Sequence, residues 1–122
     1  MNPQRKEELE RGGVDVCAAL ERMMGSEALL ERLLGKFPED ASYAALGAAL
    51  DRGDMDQAVA AAHTLKGICG NLSLTALFSL FTRQVAALRR GDLEEAQTLM
   101  AQISPAYTAA VAAIRGDGHG MG

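Results

Sequence analysis

The sequence predicts an all-α fold, an up-and-down antiparallel four-helix bundle preceded by a short additional N-terminal helix. Three observations predict it. Apolar residues make up 48% of the 122 residues while aromatics reach only 4% and tryptophan is absent. That balance of Ala, Leu and Met suits packed helices and leaves few strand formers. Apolar positions recur three and four apart, the period of a helix face. Glycine–aspartate pairs stand between the periodic segments, and connections that short join antiparallel neighbours.

The elements follow in order. Pro3 is placed to open a short helix and Gly12-Gly13 to close it, so residues 1–13 read as a polar, loosely packed segment ahead of a domain over 14–115. Val14, Cys17, Leu20 and Met23 or Met24 form the stripe of a short amphipathic helix that Gly25 ends. Ser26 caps the next helix, whose apolar face is Leu29, Leu30, Leu33, Leu34 and Phe37. Phe37-Pro38 interrupts it, because proline lacks an N–H and restricts the residue before it. Tyr43, Leu46, Ala49 and Leu50 then continue an apolar stripe, leaving open whether 26–52 is one bent helix or two.

Arg52-Gly53-Asp54 and Arg90-Gly91-Asp92 are the same tripeptide. Glycine ends one helix in the left-handed conformation and aspartate caps the next, with Gln57 and Glu95 completing capping boxes. Two copies are too few for a stacked repeat array, which needs about three units. After the second helix of this pair, Ser73 or Thr75 caps a successor with Leu74, Phe78, Phe81, Val85 and Leu88 in the core. A last helix runs from Asp92 to about Arg115, with Pro105 expected to bend or split it. The tail 116–122 is Gly-rich, with too little apolar surface to fold, and its His119 is read as exposed and functionless.

Composition removes several classes of function. The net charge of −4 argues against nucleic-acid binding, which calls for a basic patch. No apolar run approaches the ~18 residues that span a bilayer, and the first residues lack a signal peptide's apolar stretch, so a cytoplasmic monomer without membrane attachment is expected. Cys17 and Cys69 both fall on apolar helix faces and are expected as buried free thiols. No Cys/His cluster has zinc spacing, so no metal site is expected.

One stretch remains for chemistry, Ala62-His63-Thr64-Leu65-Lys66-Gly67-Ile68-Cys69-Gly70-Asn71-Leu72. At about 100° per residue, Ala58, Ala61, Ala62, Ile68, Cys69 and Leu72 fall within about 60° of Leu65 and form a buried seam. His63 lies roughly 160° away, on a face shared with Asp56, Val59, Ala60, Lys66, Gly67 and Gly70. Its neighbours one and two turns along are Ala60, Gly67 and Gly70, almost bare backbone. Glycine inside a helix costs about 1 kcal/mol against alanine, so propensity does not explain the pair. Bare backbone admits another protein's surface, and Lys66 sets a cation beside any anion on the ring, phosphate above all.

His63-Thr64-Leu65-Lys66-Gly67 with Asn71-Leu72 resembles the signature of histidine-containing phosphotransfer domains. One position departs: many members of that family have glycine where this chain has Ser73. The resemblance implies a helical bundle over roughly 14–115. It implies that His63 accepts a phosphoryl group from the aspartyl-phosphate of a receiver domain and passes it to another, with Mg²⁺ held by the receiver and no intrinsic cofactor. Lys66 would offset charge on the transferring group, and Ala60, Gly67 and Gly70 would give docking clearance. Val59 and Leu74 would touch the partner, and Gln84 on the following helix is a candidate to reach the imidazole. Imidazole suits the role, because its reference pKa of about 6.5 leaves a large neutral fraction near pH 7. No nucleotide loop or kinase ATP box is present, so self-phosphorylation from ATP is not expected. The competing readings are a helical adaptor that binds without phosphotransfer and a domain of this shape that only docks on receivers. An autonomous hydrolase would need a carboxylate or nucleophile within helical contact of His63, and there is none.

Overall fold

A computed structural model describes residues 1–116. The expectations for 117–122, His119 included, lie outside the described residues. Among the described residues seven α-helices form: α1 (Pro3–Arg11), α2 (Val16–Arg22), α3 (Glu27–Lys36), α4 (Ser42–Asp51), α5 (Met55–Asn71), α6 (Thr75–Arg89) and α7 (Leu93–Arg115). A 3₁₀ turn, Phe37–Glu39, separates α3 from α4. The chain is a helical bundle, and consecutive helices pack on one another: α4 on α5, α5 on α6, α6 on α7, with α3 and α4 also meeting α7. One core runs through it, including Leu30, Leu34, Leu46, Leu65, Phe81 and Ile103, each fully buried.

The break at Pro38 is therefore a true one. Asp40 Oδ1 accepts from the Ser42 amide at 2.8 Å and restarts the chain as α4. Tyr43 of α4 stacks on Tyr107 of α7, with ring centroids 3.6 Å apart and planes 3° off parallel, and its hydroxyl meets Ser104 Oγ at 3.0 Å. The neighbouring residue, Pro105, does not split α7, which is helical from Leu93 to Arg115. Its ring is exposed, and Ile103 and Tyr107 on either side are packed into the core, which holds the helix through one missing amide.

Both Arg-Gly-Asp junctions act as helix stops. Gly53 (φ +71°) and Gly91 (φ +81°) take the left-handed conformation, and Asp54 and Asp92 accept from the amides of Gln57 and Glu95 at 3.1 and 3.0 Å. The reciprocal half of each capping box does not form. The Asp54 and Asp92 amides instead reach back to the carbonyls of Ala49 and Ala87, both at 2.9 Å, closing the preceding helix. Glu95 turns to Arg90.

Three expectations for the N-terminal region are corrected. Residues 1–13 do not pack loosely: Leu9 is fully buried, and α1 lies on α7. A Cβ on Gly12 would come within 2.4 Å of Ala113 Cβ, so that glycine sets how closely the two helices approach. Arg5 fastens the contact. Its guanidinium donates to Glu31 through Nε (2.9 Å) and Nη2 (2.8 Å) and to Glu8 (2.8 Å). It also takes the carbonyls of Ala113 (2.8 Å) and Ile114 (2.9 Å) at the end of α7. The hydrogen bond to Glu31 raises the Arg5 pKa above its ordinary value. Second, Val14 is not helical. It forms an isolated antiparallel bridge with Leu74, Asp15 caps α2, and the helix phase runs from Val16, so Val16, Ala19 and Met23 are buried. Third, that phase turns Cys17 out to solvent, while Cys69 is buried as expected.

Candidate functional site

The central helix of the site is α5. Asp54 caps it, and its buried residues are Ala58, Ala61, Ala62, Leu65 and Cys69, the predicted seam. Ile68 is half-buried, beside a cavity of about 220 Å³ that Leu33, Phe37 and Leu72 also line. With the seam held inward, Asp56, Ala60, His63 and Gly67 are exposed, and Val59, Lys66 and Gly70 are half-buried. Among the described residues no hydrogen bond holds the imidazole, and no carboxylate pairs with Lys66. Thr64 Oγ1 donates to the Ala60 carbonyl at 3.0 Å, so that hydroxyl stays on its own helix.

The glycines of this face prove unlike. Around Gly67 a Cβ would meet nothing within 4 Å, which agrees with open clearance beside His63. At Gly70 a Cβ would stand 3.1 and 3.2 Å from Cε1 and Cδ1 of Phe78, so the space is already taken by the ring of an α6 residue. Gly70 therefore serves the packing of α5 on α6, correcting its assignment to docking clearance. Phe78 in turn is 39% exposed and not in the core stripe.

Two further assignments are corrected. Leu74 is 1% exposed and is bridged to Val14, so its side chain belongs to the core and offers no surface for contact. Gln84 is fully buried between α6 and α7: its Nε2 donates to the Ala96 carbonyl at 2.9 Å and contacts Met100 Sδ at 3.3 Å. It points to the α7 side of α6, not to His63. Val59 is half-buried against the core.

Ser73 is the position where the resemblance departed, and its backbone explains the family glycine. It has φ +54°. Its amide bonds the Gly70 carbonyl (3.2 Å), and the Leu74 amide bonds Cys69 (2.9 Å), the pair of bonds that closes a helix through a left-handed residue. The serine side chain, expected to cap the next helix, is instead 3% exposed, and its Oγ accepts from Arg22 Nε at 3.3 Å. It caps nothing, and α6 starts without a side-chain cap.

These features, an exposed histidine on a bundle helix with open backbone one turn on, match an independent finding. A family model described as Hpt domain covers residues 28–116. The chain belongs to the Hpt domain family. No curated protein and no solved structure matches it. Hpt domains work in phosphotransfer within two-component signalling, as phosphocarriers and not kinases, and they interact with receiver domains. The span matched to the Hpt domain begins within α3, so α1 and α2 lie outside it although they pack on the bundle. Among the described residues no helix is long and apolar enough to cross a membrane, and no group of His, Cys, Asp and Glu is placed to hold a metal ion.

Proposed function

We propose that this Hpt domain carries a phosphoryl group on His63, taking it from the aspartyl-phosphate of one receiver domain and giving it to another. The observation that carries this reading is the exposed His63 with vacant space over the Gly67 backbone one turn along the same helix. A neutral imidazole nitrogen attacks phosphorus with its lone pair. The P–N bond forms as the bond from phosphorus to the aspartyl oxygen breaks, and the carboxylate leaves with that electron pair. The ring's other nitrogen releases its proton to solvent. The return step reverses this order on the second receiver.

Lys66, i+3 from His63 and half-buried, lowers the energy of negative charge gathering on the transferring group. The receiver would contribute the Mg²⁺ and most of the catalytic groups. The seam of Leu65 and Cys69 supplies rigidity, so the ring is presented from a helix and not from a loop.

Incubation with a phosphorylated receiver tests the reading. Acid-labile, base-stable label is expected on wild type and absent from His63→Gln. No label on wild type from several receivers rejects it; label persisting on His63→Gln moves the site elsewhere. Receiver binding without label on either protein favours the adaptor reading.

A further inference from the structure

We propose that Phe78 of α6 is the apolar anchor of the receiver-docking surface and a specificity-determining residue for the transfer, an inference that rests on the phosphocarrier reading. Gly70 is seven residues beyond His63 on α5, two turns along and within about 20° of the same face, hence about 10 Å along the axis. The Phe78 ring lies over that glycine, where a Cβ would stand 3.1 Å from it, and is still 39% exposed. One helix face thus presents, in line, the reactive imidazole, a vacant strip at Gly67 and the side of an aromatic ring.

The occupant follows from geometry. A protein domain that brings an aspartyl-phosphate onto His63 covers about 800 Å² in an interface of standard size, a disc of roughly 16 Å radius. Phe78 falls inside that disc on any approach centred on His63. Aromatic residues near the middle of such a patch carry a disproportionate share of binding energy. The only other large apolar side chain this exposed among the described residues, Met24, is on the turn after α2 and not on the α5–α6 face. Phe78 also accounts for glycine at position 70: alanine there would push against the ring, and the ring would have to leave its place over α5.

The partner surface it fits is an apolar patch beside the phosphorylated aspartate, about 10 Å from the phosphorus. Receivers differing at that patch are then discriminated by Phe78 while His63 does the same chemistry on all of them.

The test follows transfer from a phosphorylated receiver at rising receiver concentration, with helix content and thermal unfolding recorded for every variant. Phe78→Ala and the more conservative Phe78→Leu are compared with wild type. Phe78→Ala is expected to raise the receiver concentration for half-maximal rate about tenfold with the limiting rate changed less than twofold, and Phe78→Leu to fall between. Gly70→Ala, which retains the ring but displaces it, is expected to shift the same parameter. As a readout free of chemistry, His63→Gln should compete with wild type for receiver, and His63→Gln/Phe78→Ala should compete about tenfold less well. Folded Phe78→Ala with wild-type concentration dependence and wild-type competition overturns the inference while label on His63 leaves the phosphocarrier reading intact. Absence of label on wild type overturns both.

Discussion

Arg22 and Ser73 are joined across the end of the bundle, with the Arg22 Nε donating to Ser73 Oγ at 3.3 Å while Ser73 holds a left-handed backbone. The same residue offers its carbonyl to the Asp15 amide at 2.9 Å. The segment around α2 thus grips the turn that ends the His63 helix.

That grip ranks the substitutions at position 73. A left-handed conformation costs an L-residue about 1 kcal/mol or more, which glycine avoids, and the hydrogen bond offsets part of it. Ser73→Gly is expected to leave stability unchanged or raise it by up to about 1 kcal/mol. Ser73→Ala, which retains the strain and loses the bond, should lower it by about 1 kcal/mol. β-Branched Ser73→Val should lower it by about 2 kcal/mol or more. Urea unfolding measures all three.

Gly67 separates stability from function. Its Cβ position is empty, so Gly67→Ala removes the helix penalty of glycine and should stabilise by about 0.5–1 kcal/mol. Gly67→Phe should fold with nearly the same helix content by circular dichroism yet block transfer, because its ring fills the strip beside His63. Normal transfer by the Phe variant would remove the clearance argument.

Gln84 is a polar residue in an apolar place. Its Nε2 is bonded, but its Oε1 is buried with no partner among the described residues. The Ala96 carbonyl is within α7 and retains its helical partner if the glutamine goes. Gln84→Leu is therefore expected to be neutral or to stabilise by about 1 kcal/mol, with His63 labelling unchanged. A loss above about 2 kcal/mol would mean that the amide bond outweighs the orphaned oxygen.

The two thiols should differ in accessibility. Cys17 is exposed and should react at once with a thiol reagent, Cys69 only on unfolding. Burial pushes the Cys69 thiol up to about 12. Between about 8.5 and that value the unfolded chain has lost a proton that the folded chain retains, so stability falls as pH rises through this window and is fully present below it. The stability advantage of wild type over Cys69→Ala should accordingly shrink from pH 8 to pH 11.

The face of α5 was legible because it depends on local periodicity: Leu65 inward puts His63 outward whatever surrounds them. The helix stops at Gly53 and Gly91 were legible for the same reason, since their chemistry is confined to a few neighbouring residues. What periodicity could not supply is which element fills a given space. Gly67 and Gly70 look alike in sequence, and only the α6 ring distinguishes them. Gln84 faces α7 because of the rotation of α6 between two neighbours. Cys17 was misplaced by counting Val14 into the helix, when a bridge to Leu74, far along the chain, holds it outside.

The fastening of Arg5 to the last carbonyls of α7 brings the first and last helices together at one spot. Since α7 packs on α6 and α4, and α5 packs on those same two helices, that spot is across the bundle from His63. A linker joined directly to α1 or directly to α7 would leave from the same anchorage, and the domain would swing on it like a hand from a single wrist, with the reactive palm turned away. The reach of His63 toward a tethered partner would then be governed by linker length and stiffness, and not by which end carries the linker.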